Sequence, residues 1–336
     1  MGPVIDIHCH RECGPAAELM KAEAERLGRM ALSFGNELTK EVNRRQLAHI
    51  RPKMESLDER IADMDRMGVD IQAVAISPYQ MYYWAEPELG AKVARIINDE
   101  LAEAISAHPN RLMGLGTVPL QDTAAAVAEV QYCMGQLDFR GFEIATNVEG
   151  EELSAPRLDP FWAEIEARGA VIFIHPIGFT HPDRLTEHYF FNVVGHPIEN
   201  TLAIANLIFG GVMERYLGLK IVVAHGGGYL PAYAGRMDHA YQAREDVRQG
   251  LPQTPGEYLR RFYLDTMVFE PDQLAFLVGK YGADHILLGT DYPYDMGEDD
   301  PVGLVERTPG LSAREREAIC GGNAARLLGL QVGAET

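Results

Sequence analysis

Long apolar runs are missing from this chain of 336 residues: none approaches the roughly 18 residues that a membrane-spanning helix needs. The N-terminus, MGPVIDIHCH, has no basic stretch followed by an apolar one, so no secretory leader is expected. Cationic side chains are in the minority, with 30 Lys and Arg against 49 Asp and Glu and a net charge of −19. That balance argues against a nucleic-acid binder, which needs clustered Lys and Arg for phosphate contacts. It argues equally against docking on an anionic membrane. Cysteine is scarce, and the four present, at positions 9, 13, 133 and 320, form no spaced framework. Free thiols in a reducing compartment fit that pattern, so a cytoplasmic, soluble protein is the expectation.

What is present is ordinary globular material, 46% hydrophobic and 24% charged, enough for one large core. Short apolar, β-branched runs recur at 4–8, 71–77, 112–118, 141–146, 170–175, 220–225, 261–268 and 285–291. Most are apolar on both pleat faces, as buried parallel strands are. Helical patterns separate them, at 55–68, 88–108, 122–137, 160–168, 197–217, 229–248 and 270–282. In the first, Ser56 followed three residues later by Glu59 reads as a capping box, and Gly68 as a stop. Eight strands alternating with helices predict an α/β fold, a (β/α)8 TIM barrel forming a single domain. Residues 11–54 are mostly helical and charged in pattern. They are expected to form a small cap inserted after the first strand.

Active sites of such barrels lie at the C-terminal ends of the strands. The first strand ends in His8-Cys9-His10, the fifth in His175, the sixth in His225-Gly226-Gly227-Gly228 and the eighth in Asp291. His8 and His10 are two apart, so an extended strand projects both to one face and Cys9 to the other. With only 11 His in the chain, their concentration at strand ends points to a metal site. Three imidazoles and a carboxylate suit zinc best, with manganese, iron or cobalt possible. His8, His10, His175 and Asp291 complete a ligand set, which leaves His225 spare. A neutral imidazole beside a metal-activated water is suited to proton transfer. Glu143, in the middle of the fourth strand, is expected to point outward to the helices.

These motifs carry a resemblance. IDIHCH, YYWAEPE, GLGTVPLQ, IFIHP, AHGGG, GTDYP and GGNAARLLGL together resemble the amidohydrolase superfamily, in its α-amino-β-carboxymuconate-ε-semialdehyde decarboxylase branch. The resemblance implies one divalent metal per chain on His8, His10, His175 and Asp291, with His225 as catalytic acid/base and Asp291 sharing in proton handling. It implies a homodimer in which Arg236 reaches the neighbouring subunit's site to bind a substrate carboxylate, a role that a planar guanidinium fits. Arg51, in the cap, is the nearest match to a second carboxylate-binding arginine, with Arg11 a further nearby cation. The loop after His175 departs from the branch. It carries no Trp, Asn192 stands at the branch's tryptophan position, Phe179 is a candidate pocket residue, and Tyr294 replaces a Phe. The expected activity is non-oxidative decarboxylation of an aromatic, hydroxybenzoate-type acid or of a muconate-semialdehyde-type acid. The alternative is a hydrolase or hydratase of a ring-cleavage product using the same metal-activated water.

Overall fold

A computed structural model describes residues 2–28 and 34–330 of the chain. Residues 29–33, part of the expected cap, lie outside the described residues. Eight parallel strands follow one another around a barrel in chain order. They are β1 (Ile5–Arg11), β2 (Ile71–Ile76), β3 (Leu112–Gly116), β4 (Gly141–Ile144), β5 (Val171–Ile174), β6 (Lys220–Val223), β7 (Tyr263–Asp265) and β8 (Ile286–Leu287). The chain just beyond β8 returns to β1 through Ile7 N to Leu288 O (3.0 Å), Asp291 N to His8 O (2.8 Å) and His10 N to Tyr292 O (2.8 Å). The last strand is much shorter than the apolar run 285–291 predicts. The backbone leaves the ladder to set Asp291 at φ 54°.

The helices between strands are α3 (Leu57–Met67), α4 (Pro87–Ser106), α5 (Thr123–Gln136), α6 (Asp159–Arg168), α7 (His196–Phe209), α8 (Leu230–Ala243) and α9 (Pro271–Tyr281). The predicted helix 197–217 is cut short at Gly210–Gly211, where Gly211 takes φ 74°. Ahead of α3, residues Gly14–Leu27 form α1 and Glu37–Glu55 form α2. Ser56 closes α2 and opens α3. Its side chain accepts from Glu59 N, but its own amide is spent on Pro52 O at 2.7 Å, so only half of the expected capping box forms. Helix α1 is no loose flap: Ala16 and Met20 pack with Ile76, Val93 and Ile97 in a buried cluster.

Two layers of core hold the barrel. Inside it, Ile5, Ile7, Ala73, Leu115, Val171, Phe173 and Val222 interdigitate. Outside, Val74, Phe142, Ile172, Ile174, Ile221 and Val223 meet the apolar faces of the helices. Each such Val, Leu, Ile or Phe side chain, once fully buried, contributes about 1.5–3 kcal/mol. In β1 the alternation breaks. Ile5 and Ile7 face inward, yet so do His8 and His10, because a bulge separates Asp6 from Cys9 in the pairing with β2. The Asp6 carboxylate accepts the His8 amide at 3.0 Å, in place of a ladder partner. Bulges re-aim side chains in this way beside active sites.

Candidate active site

The bulge presents His8 and His10 at the top of the barrel, where His175 follows β5 and Asp291 follows β8. One ligand atom from each of these four buried residues lies within 4.8 Å of all the others. Asp291 Oδ1 is 3.3 Å from His8 Nε2 and 3.2 Å from His10 Nε2. Those nitrogens, both ring nitrogens of His175 and Asp291 Oδ1 are buried without a hydrogen-bond partner. Buried polar atoms are rarely left so, and four of them converging on one point form a set that could hold a metal ion. Burial, reinforced by the neighbouring imidazoles, pushes His175 well below its ordinary range, which keeps it the neutral ligand a cation needs. Burial would raise the Asp291 carboxyl, but the surrounding histidines hold it well below the usual carboxylate range.

His225 stands beside this cluster and outside it. Its ring centroid is 5.4 Å from that of His8 and 5.0 Å from that of His175, and its Nε2 is 3.7 Å from Asp291 Oδ2. The residue has φ 56°, an unusual backbone for a non-glycine. The three glycines that follow permit that turn. A Cβ on Gly226 would lie 2.5 Å from Val268 Cγ1, and one on Gly228 would lie 2.2 Å from Pro197 O. Asn200 donates to Ala224 O at 2.8 Å and faces His225 Nδ1 at 3.1 Å, which fixes the ring.

A cleft of about 410 Å³ opens onto the cluster, lined in part by His175, Asp291, Asn192, Tyr294, Gln46 and His196. Tyr294 is tied to Ser77 through a 2.8 Å hydroxyl–hydroxyl contact and lies over His10, with ring centroids 5.5 Å apart. Asn192 touches His196 rather than standing alone. Phe179 lines a neighbouring cleft with Tyr83, Asn147 and Phe191. Arg51 is exposed on α2 and does not line the metal cleft; Gln46, on the same helix, reaches it instead. Arg11 is buried in an ion pair with Glu100 at 2.9 Å and is not free for substrate. Arg236 is exposed on α8, away from its own cleft, and pairs with no carboxylate among the described residues.

Glu143 corrects the expectation that it points to the helices. It is paired with Phe173 in register, fully buried inside the barrel, with Oε2 3.6 Å from His10 Nδ1. Burial raises its carboxyl well above the usual range. Sequence reasoning passed over three more residues. Asp265, at the end of β7, holds His8 Nδ1; His196 lines the cleft; and Arg60 on α3 is fully buried, bonded to the His10 carbonyl and to Gln72 at 2.9 Å. An Asp in the apolar run RFYLDTMV was the available signal for the first.

The fold and the site define a barrel enzyme built around one buried cluster of metal-ligand residues. The amidohydrolase profile matches residues 5–330, and the chain belongs to the amidohydrolase family. It is 39% identical over 274 residues to the 2-amino-3-carboxymuconate-6-semialdehyde decarboxylase of Dictyostelium discoideum, covering 81% of this chain and 76% of that one. It is 28% identical over 262 residues to the gamma-resorcylate decarboxylase of Rhodococcus jostii, covering 71% and 77% of the two chains. Among solved structures, 5-carboxyvanillate decarboxylase from Sphingomonas paucimobilis matches with a TM-score of 0.86 and 25% identity, covering 98% of this chain and 99% of that one. A dihydroxybenzoic acid decarboxylase from Polaromonas, solved with bound manganese and 2-nitroresorcinol, shares the fold at a TM-score of 0.79 and 22% identity, covering 99% and 98%.

Proposed function

We propose that this chain is a metal-dependent carboxy-lyase that removes the carboxylate of a small hydroxybenzoate-type or muconate-semialdehyde-type acid, without a redox cofactor. The observation that carries this reading is the spare imidazole: four residues suffice for a metal, and His225 stands within 3.7 Å of Asp291 without belonging to the set. A chain that only bound a metabolite would have no use for it. Family membership and the decarboxylase relatives support the same reaction class.

His8, His10, His175 and Asp291 would hold one divalent ion per chain. The donor set of three imidazoles and a carboxylate favours zinc, and manganese also fits. When bound, the ion supplies positive charge that stabilises negative charge developing on substrate oxygens. Asn200 holds His225 through Nδ1, which leaves Nε2 as the nitrogen turned toward Asp291. A protonated His225 would deliver its Nε2 proton to the carbon bearing the carboxylate, forming a C–H bond as the C–C bond breaks and leaving the neutral imidazole. CO2 leaves, and the proton returns to the imidazole from solvent. The cleft and the buried Tyr294–Ser77 pair keep the substrate ring oriented above the cluster.

Among the described residues the cleft lining includes no Lys or Arg. A carboxylate entering a chain of net charge −19 needs a local cation beyond the metal, and Arg236 of a second copy would supply it. Tyr229, Tyr233 and Arg236 fall on one side of α8 at helical spacing, and Tyr229 and Tyr233 are 44% and 64% exposed, as a dimer face requires. The homodimer, the shared Arg236 and a cytoplasmic setting complete the proposal. The deciding experiment offers hydroxybenzoates and ring-cleavage acids to the metal-loaded protein. CO2 release from at least one acid is expected. Incorporation of solvent oxygen into product without any CO2 would replace decarboxylation by hydrolysis or hydration.

A further inference from the structure

Two imidazoles, His225 and His196, stand beside the ligand cluster, and His196 lines the cleft. His196, the first residue of α7, is 7% exposed, and its ring lies 5.8 Å from that of His225 and 6.1 Å from that of His175. Its Nε2 is buried with no hydrogen-bond partner. The other ring nitrogen is engaged, because Asn192 Nδ2 stands 3.4 Å from His196 Nδ1. An amide nitrogen can only donate, so Nδ1 presents its lone pair and the ring proton resides on Nε2. Asn200 holds His225 in the same way. The two asparagines therefore set both neutral rings to the same tautomer, with the N–H on Nε2, and of the two rings His196 lines the cleft. His225 Nε2 has Asp291 Oδ2 nearby at 3.7 Å, whereas His196 Nε2 has nothing to donate to. Burial pushes His196 down to about 3, so the ring stays neutral at any working pH. A buried donor left without an acceptor is costly, and such a group at a site is commonly completed by a ligand.

We propose that His196 is a substrate-binding residue whose Nε2–H donates to a carboxylate or phenolate oxygen of the bound acid, and that Asn192 is a positioning residue that fixes its tautomer. The proposal rests on the decarboxylase reading only for the class of acid. A fixed N–H selects ligands that present an oxygen acceptor at this point and disfavours those that present an ammonium group. His196→Leu removes the donor at similar volume. Asn192→Asp places a carboxylate against Nδ1, which draws the ring proton there and turns Nε2 into a lone pair facing the substrate oxygen. His196→Gln keeps an N–H donor.

The test titrates 2-hydroxybenzoate, the simplest acid of the class, into metal-loaded protein by calorimetry, alongside metal content, unfolding temperature and steady-state kinetics. His196→Leu and Asn192→Asp should each weaken binding roughly 10- to 100-fold with metal content and unfolding temperature retained, and His196→Gln should recover most of the loss. Affinities within twofold of wild type in both damaging variants would overturn the proposal, as would a wild-type chain that does not bind the probe. A chain that binds the probe through His196 but releases CO2 from no acid would sink the decarboxylase reading and leave the donor standing.

Discussion

Asp265 Oδ2 lies 2.6 Å from His8 Nδ1, and both side chains are fully sealed from solvent. The carboxylate turns the ring so that Nε2 faces the ligand cluster, and its other oxygen accepts the amides of Gly226 (2.8 Å) and Met267 (3.2 Å). One residue thus orients a ligand and anchors the glycine turn after His225. Partners of this kind typically change metal affinity 10- to 100-fold when lost. Asp265→Asn is expected to weaken metal binding by about that factor while still loading at saturating metal. Chelator competition measures it, and an unchanged affinity would remove Asp265 from the site.

The four-residue ligand set predicts one metal per chain. His175→Ala or Asp291→Ala should strip the ion or weaken its binding far more than His225→Ala does, because only the former remove a member of the cluster. His225→Ala should keep its metal and lose turnover. Elemental analysis of each purified variant checks both halves, and two ions per wild-type chain would refute the count.

Acid stability follows from His196. Burial is the larger cause and the His225 charge the next in pushing its folded value from 6.5 to about 3. Between those values the unfolded chain binds a proton that the folded chain does not, so this group's contribution is complete above about pH 6.5 and is lost as pH falls toward 3. His196→Gln lacks that linkage. Its unfolding free energy should fall less steeply than that of wild type between about pH 7 and 5 in denaturant titrations, and parallel slopes would contradict a buried neutral His196.

Arg60 is the more deeply buried of the two buried arginines near the site, donating to Gln72 Oε1 and the His10 carbonyl and lying 4.9 Å from the Tyr292 ring. Arg60→Leu leaves two buried acceptors unpaired, at a cost of about 1–3 kcal/mol each before relaxation. A drop in stability of about 2–4 kcal/mol is expected, together with weaker metal retention, since β1 loses the group that holds the His10 backbone. A variant as stable as wild type would mean that water takes over both acceptors.

The shared-site proposal is tested by mixing. Arg236→Ala and His225→Ala chains, each inactive, should form heterodimers in which one site lacks both residues and the other is intact, recovering up to about half a normal site's activity. Sedimentation as a monomer at working concentration, or no recovery after verified subunit exchange, would leave Arg236 as an exposed charge of little energetic weight.

The barrel was legible because buried parallel strands are apolar on both faces and each is followed by a helix, a pattern local enough to read from the chain. The cluster was legible for a related reason: strand ends are where barrel sites lie, and His8, His10, His175, His225 and Asp291 all stand there in the sequence. What the sequence could not disclose depends on contacts between distant segments. The bulge that puts Ile7 and His8 on the same side arises from the Asp6 carboxylate standing in for a ladder partner. The inward turn of Glu143 follows from its register against Phe173, a pairing between strands distant in sequence. Arg51 and Gln46 lie on the same helix, so only the seating of α2 on the barrel decided which of them reaches the cleft. Asp265 and Asn200 read as ordinary polar residues, and Asn192 only as a pocket candidate, until folding brings each within hydrogen-bonding distance of an imidazole. Residue type and strand order are properties of the chain itself, whereas tautomer, ring orientation and pocket lining are set by pairs of groups that meet only in the folded protein.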